Sequence, residues 1–250
     1  MAQAHDSGGT IDRDEIARFA RAAPAWWDPE GEFRPLHRIN PVRLHFIRDR
    51  LVAQFARDPG ALAPFRGLRL LDIGCGGGIV AEPMARLGFA VTGIDADTTA
   101  LDVARAHARE TALAVDYREA AAESLAAAGE RFDAVLALEV AEHAQDQALF
   151  FAAAAQLVAP GGALIVSTLN RTAKSFALAI VGAEYLLRWI PRGTHRWDRF
   201  LRPAEVAAML RPHGMTLRGI EGLVYQPWRN AWGLGPDVAV NYLLIANKPK

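Results

Sequence analysis

Two stretches carry the residues best suited to chemistry. In the first, Asp72-Ile73-Gly74-Cys75-Gly76-Gly77-Gly78 follows the apolar pair Leu70-Leu71. Glycines at 74, 76 and 78 permit positive φ and let a bulky ligand approach bare main chain. A helix expected from about Ile79 to Leu87 would aim its first N–H groups at that ligand. Val91-Thr92-Gly93-Ile94-Asp95 reads as another strand ending in a carboxylate, 17 residues beyond Gly78. An acid so placed is where nucleotide-binding α/β folds hold the ribose hydroxyls. A nucleoside cofactor is therefore expected. Residues 74–78 fit G-x-G-x-G, the pattern of S-adenosylmethionine (SAM) sites, whereas Gly76 to Ala81 fit the G-x-G-x-x-A of a dinucleotide site. Asp72 favours SAM, because a carboxylate ahead of the first glycine would take a methionine ammonium and repel a pyrophosphate. Cys75, the single cysteine, reads as a small filler of the loop.

The second stretch is Glu139-Val140-Ala141-Glu142-His143, which follows the apolar run Phe132–Leu138. Ligands of open α/β sheets bind at the carboxyl ends of strands. If 139–143 turn helically, Glu139 shares a face with Glu142 and His143 at i+3 and i+4. Two oxygens and one nitrogen would suit Mg²⁺, Mn²⁺ or Zn²⁺. Such a cation would lower the pKa of a bound hydroxyl and fix both oxygens of a catechol. The alternative is direct proton removal by His143 or Glu142, since a phenol with a pKa near 10 stays protonated at neutral pH. Glu139 as a turn cap and His143 as a packing residue are the plain structural readings. Either chemistry would gain the rest of its rate by aligning nucleophile, methyl and sulfur.

The elements needed to position these groups are legible. Strands at 68–73, 90–95, 114–118, 132–138 and 162–168 alternate with helices at 79–87, 98–110 and 145–158, with a turn at Pro160-Gly161-Gly162. That alternation implies a parallel sheet covered on both faces. A helix at 203–211 and strands at 215–224 and 240–247, paired antiparallel, complete it. The expected fold is α/β: a class I SAM-dependent methyltransferase Rossmann-like domain over 1–250, with seven mostly parallel strands and one antiparallel edge strand. It includes an N-terminal helical segment, 1–56. Residues 1–10 are expected without structure, Asp14 to Ala22 as a helix, Trp26 to Gly31 as a turn, and Asn40-Pro41 as the opening of a helix to about Phe55. The alanine-rich stretches at 120–128 and 152–155 read as helix filler.

Some 34 residues separate strand five from the helix at 203, too many for a plain connection. Within this insertion (170–202), Ser175 to Ile190 is largely apolar, and Arg192, Arg196, Arg199 and Arg202 oppose a single acid, Asp198. An apolar helix beside arginines suits an anionic membrane surface over 172–202, or a lid over the site. Lys+Arg and Asp+Glu balance at 28 each, so no global field steers the chain to nucleic acid. One cysteine excludes an intrachain disulfide. The first ten residues lack a signal-peptide core, and no apolar run reaches the roughly 20 residues that span a bilayer. The expectation is a cytoplasmic protein, peripheral at the inner face of the membrane. An NAD-dependent oxidoreductase and a non-catalytic lipid-binding module are the rival readings.

Taken together these residues resemble the ubiquinone-biosynthesis O-methyltransferases, also called 3-demethylubiquinol 3-O-methyltransferases or 2-polyprenyl-6-hydroxyphenol methylases. The glycine loop is shared by many methyltransferases. More specific are Trp26-Trp27-Asp28-Pro29-Glu30-Gly31-Glu32-Phe33, Pro35-Leu36-His37-Arg38-Ile39-Asn40-Pro41-Val42-Arg43, Ser167-Thr168-Leu169-Asn170-Arg171, Val181-Gly182-Ala183-Glu184-Tyr185 and Asp237-Val238-Ala239-Val240-Asn241-Tyr242. The resemblance implies SAM-dependent methylation of polyprenyl catechols such as demethylubiquinol, with Arg43, Gly74, Asp95 and Leu138 on SAM. It implies Glu139, Glu142 and His143 as a metal triad and lipid contact through 172–195; other ubiquinone-biosynthesis enzymes are candidate partners. Ala121-Ala122-Glu123 departs from the Asp-Ala-Glu common in this fold. An adenine contact there would fall to backbone, with no role assigned to Glu123.

Overall fold

The computed structural model describes Thr10 and residues 23–178 and 196–250. The helix expected over 14–22 and most of the apolar part of the insertion lie outside the described residues.

Short apolar runs form β1 (Arg69–Ile73), β2 (Ala90–Asp95), β3 (Val115–Glu119), β4 (Phe132–Leu138) and β5 (Val158–Leu169), all parallel. After them come β6 (Thr216–Gln226), β7 (Ala231–Gly235) and β8 (Asn241–Asn247), giving the order β3-β2-β1-β4-β5-β8-β6-β7. β8 runs antiparallel to both of its neighbours, and β7 is an antiparallel edge. The sheet is mostly parallel with a reversed edge, as expected, but it has eight strands rather than seven. The additional one arises because the chain turns at Pro227–Arg229 and folds back on β6.

Period-two alternation sends successive side chains to opposite faces, so a strand apolar throughout is buried on both. Leu71, Val135, Ala137, Leu164, Val166 and Leu244 face one layer, made of α4 (Ala122–Ala127), α5 (Gln147–Leu157) and α6 (Pro203–Leu210). Leu70, Leu136, Leu138, Ile165, Leu243 and Ile245 face the other, made of α1 (Arg34–Gln54), α2 (Ala81–Arg86) and α3 (Thr98–Glu110).

α1 carries a buried stripe of Ile39, Asn40, Arg43, Phe46, Ile47, Leu51 and Val52, spaced three and four apart. Phe46, Ile47 and Leu51 anchor it in the core, and the same stripe sends Arg43 toward the carboxyl ends of the strands. It starts at Arg34, six residues before the expected Asn40-Pro41, because Pro35 takes the first turn, where its missing N–H is harmless. Pro41 is absorbed inside the helix. β5 starts at Val158 rather than 162, and the register shift against β4 takes up Pro160-Gly161-Gly162 as an irregularity within the strand. The two described ends of the insertion are stitched together. Trp197 Nε1 donates to the Thr172 carbonyl at 2.9 Å, and Phe176 meets the Trp197 ring edge-on.

Candidate cofactor and catalytic site

The loop after β1 is fixed by main-chain bonds to β2. Gly74 and Cys75 donate to the Ile94 carbonyl at 2.8 and 3.0 Å. Gly76 N–H donates to Asp95 Oδ2 at 2.8 Å, while Oδ1 accepts the Asp97 N–H at 2.9 Å. Asp95 thus shapes the loop as well as bordering it, and burial pushes its carboxyl upward despite these bonds. Cys75 is buried and its thiol is raised by that burial, which suits a filler and not a nucleophile.

The glycines are required for a reason the sequence did not reveal. The close approach is made by the protein's own side chains, Val140 at Gly74 and aromatic rings at Gly76, Gly77 and Gly78. A Cβ at Gly77 would lie 2.5 Å from the Trp26 indole, and one at Gly78 would lie 2.3 Å from the Tyr117 hydroxyl. Trp26 stacks on Phe33 at 3.8 Å, and its carbonyl accepts from His37 Nε2 at 2.7 Å. Trp27 donates through Nε1 to the Gly77 carbonyl at 2.9 Å and stacks on His107 at 3.5 Å. His107 is held in turn by Glu82 at 2.7 Å. The expected helix at 79–87 contracts to six residues in α2, so fewer aligned dipoles stand behind the loop.

Asp72, at the end of β1, is buried, and its Oδ2 has no hydrogen-bond partner among the described residues. Burial raises its pKa from 3.8 to about 7, with Arg43 opposing the rise and Asp95 adding to it. A buried carboxyl oxygen left unpaired is costly, and a ligand ammonium is the group that would satisfy it. The residues therefore fit the methionine end of SAM. Both oxygens of Glu123, in the first turn of α4, are likewise buried and unpartnered among the described residues.

Arg43 is buried and ion-paired with Glu139, with a further bond to Asn40 Oδ1 at 3.1 Å. Asn40 Nδ2 donates to the Ile79 carbonyl at 2.8 Å. Leu138 is buried at the end of β4, in register with Ser167 of β5.

The expected helical face of Glu139, Glu142 and His143 does not form. Glu139 has a left-handed backbone, φ 48°, and only Ala141–His143 make a 3₁₀ turn. The two Glu139 oxygens go to Arg43 and to the Ser167 hydroxyl. Glu142 is buried and accepts from Thr168 Oγ1 at 2.8 Å. Burial raises its carboxyl, His143 lowers it and Glu139 raises it further. No group of three His, Cys, Asp or Glu among the described residues could hold a metal ion. The donor set does not fit a cation, because Glu139 is committed elsewhere.

Ser167, Thr168, Asn40 and Trp26 were missed as site residues. The signal for the first two was present: a pair of hydroxyls ends the apolar run Ala163–Val166 at a strand's carboxyl end. Asn40 and Arg43 share the apolar stripe of α1, where a polar residue calls for a partner.

A methyltransferase-domain family model matches residues 71–166. A ubiquinone biosynthesis O-methyltransferase from Brucella anthropi is 52% identical over 240 residues, covering 96% of this chain and 97% of the relative. One of the same name from Azorhizobium caulinodans is 54% identical over 239 residues, covering 96% and 94%. In fold, the chain is similar to the magnesium protoporphyrin IX methyltransferase of Synechocystis PCC 6803 with bound SAH. The TM-score there is 0.66, at 20% identity, covering 94% of this chain and 97% of that one.

Proposed function

This chain belongs to the ubiquinone biosynthesis O-methyltransferase family, and from that membership we propose which of its groups bind, orient and deprotonate. It is a SAM-dependent O-methyltransferase of ubiquinone biosynthesis. The oxidoreductase and lipid-module readings find no support among the relatives.

When bound, SAM supplies an electrophilic methyl group on a sulfonium. Asp72 takes the ammonium of the donor with the oxygen that is otherwise unpaired. Asp95 takes the ribose hydroxyls with the lone pairs left over from Gly76 and Asp97. Gly74 and Gly76 supply the positive φ that turns the loop beneath the crevice, with Val140 and Trp26 packed against them, while Leu138 borders the crevice at the end of β4 and Arg43 closes it from α1. Glu142 accepts the phenolic proton on its carboxylate, with Thr168 fixing one oxygen and His143 beside it stabilising the anion. A raised carboxyl is the stronger base, which is what a phenol requires.

The substrate class is a polyprenylated catechol such as a demethylubiquinol, dissolved in lipid. The carboxyl ends of β5 and β6 lie on one edge of the sheet, since both run antiparallel to β8. Phe176 (46% exposed), Leu178 (53%) and Trp228 (80%) project at that edge beside Lys174 and Arg229. Among the described residues no helix is long and apolar enough to cross a membrane. Aromatic and basic side chains at this edge favour interfacial contact.

The observation that carries this reading is the buried, unpartnered oxygen of Asp72 beside the glycine loop. Calorimetry tests it. SAM binds the wild type, and Asp95→Ala weakens binding by about tenfold or more, the worth of a hydrogen bond to a charged group. Unchanged binding in that variant removes the assignment of Asp95. Transfer of labelled methyl to a short-tailed catechol is expected to persist in EDTA.

A further inference from the structure

Glu139 stands at the junction of three elements. Its backbone holds a left-handed conformation that a glutamate adopts only under constraint. Its N–H donates to the Ser167 carbonyl at 2.9 Å, and its carboxylate takes the Ser167 hydroxyl on one side and Arg43 on the other. Arg43 continues to Asn40, and Asn40 to the Ile79 carbonyl just past the glycine loop. One unbroken line of polar contacts thus ties β5, the end of β4, α1 and the loop.

The charges around Arg43 explain why this matters. The buried Arg43 guanidinium pairs with Glu139. Asp72 stands between Leu71 and Ile73, which face the other layer, so by strand alternation its side chain lies on the α1 face with Leu70 and with Leu136, its partner in register. Asp72 keeps an oxygen without a partner. Were Glu139 uncharged, Asp72 would remain as the acid for Arg43 to turn to. An Arg43–Asp72 pair would fill the position that a ligand ammonium needs.

We propose that Glu139 is a positioning residue for the methyl donor: by holding Arg43 away from Asp72 it keeps the ammonium subsite open, and its carboxylate is not available as a metal ligand. The inference rests on the SAM reading of the glycine loop and adds a role within that site.

The test compares ligands with and without the amino-acid moiety. Calorimetry of Glu139→Gln is expected to show SAM and S-adenosylhomocysteine binding weakened about tenfold. 5′-Methylthioadenosine, which lacks the ammonium, should bind as to the wild type. Equal weakening of all three ligands would mean a merely structural role and overturn the proposal. In an Arg43→Gln background, Glu139→Gln should cause no further loss of SAM affinity, and an additive loss would also overturn it. Zn²⁺ or Mg²⁺ titrated into the wild type should give no stoichiometric heat. A heat abolished by Glu139→Gln would restore the metal ligand and end the proposal. Should Glu139→Gln not fold by circular dichroism, Ser167→Ala frees one side of the carboxylate. It should weaken SAM about threefold with 5′-methylthioadenosine unaffected, and no change in SAM binding would count against the idea. Failure of the wild type to bind SAM would remove the cofactor reading itself. Normal wild-type binding with an unaffected Glu139→Gln would remove only this inference.

Discussion

Asp72 is both the most informative and the most costly residue of the site. Its folded pKa, about 7, lies above the ordinary 3.8, so the folded protein holds a proton there that the unfolded chain has released. The stability this confers is full below about pH 4, declines between there and pH 7, and is absent above. Asp72→Asn has no such decline. Urea unfolding of the ligand-free protein at pH 8 is expected to show the variant more stable by about 2–4 kcal/mol, at 1.36 kcal/mol per tenfold, and near parity at pH 4. The same substitution should remove most SAM affinity. In the wild type, SAM binding should weaken as pH falls below 7, because an ammonium needs the ionised carboxylate. Asp72, Asp95 and the glycines were readable from sequence because each owes its position to its own strand end. Glu139 with Arg43, and Glu142 with Thr168, were not. Those pairs depend on the register of β4 against β5 and on where α1 docks, separations of 96 and 26 residues in the chain.

At the scale of elements, local propensity misled in two places. E-x-x-E-H has helical spacing, but the chain leaves β4 through a left-handed residue, which turns Glu139 off any shared face with its neighbours. Asn40-Pro41 looked like a helix start, but burial of the α1 stripe extends that helix backward past it. The Trp26-Trp27 turn gives a sharp check on packing against the glycine loop. Gly77 has no positive φ, and its demand for glycine comes from the Trp26 side chain, whose Cβ and ring would lie 2.6 and 2.5 Å from a Cβ there. Gly77→Ala should destabilise by about 1–3 kcal/mol through overpacking. In a Trp26→Gly background, which removes the Trp26 Cβ as well as the ring, the same change should be nearly neutral. A double-mutant cycle in urea measures that coupling, and additive losses would show that the ring does not bear on the loop.

For the whole molecule, the parallel strands and intervening helices were legible as short apolar runs bounded by glycine and polar residues. β7 was not, because Ala231–Gly235 carries two glycines and only Trp232 and Leu234 alternate as a strand should. That strand returns from a hairpin tip bearing Trp228 and Arg229. Arg229→Gln is expected to lower partitioning onto vesicles with anionic lipid by about fivefold, near 1 kcal/mol per basic residue, and to leave neutral vesicles unaffected. Trp228→Ala should weaken both. Sedimentation of protein with vesicles measures the two, and equal partitioning of all three proteins would detach this edge from lipid.

The placement of β8 bears on how the molecule is made. Residues 241–247 leave the ribosome after both of their neighbours, yet they fill the slot between β5 and β6. Until they arrive, β5 and β6 each expose an unsatisfied ladder to any passing strand. Vectorial synthesis therefore passes through a hazardous interval, in which the sheet is assembled on both sides of an empty slot and is sticky there. Shielding by a holdase during that interval would favour yield far more than any help given to the first five strands.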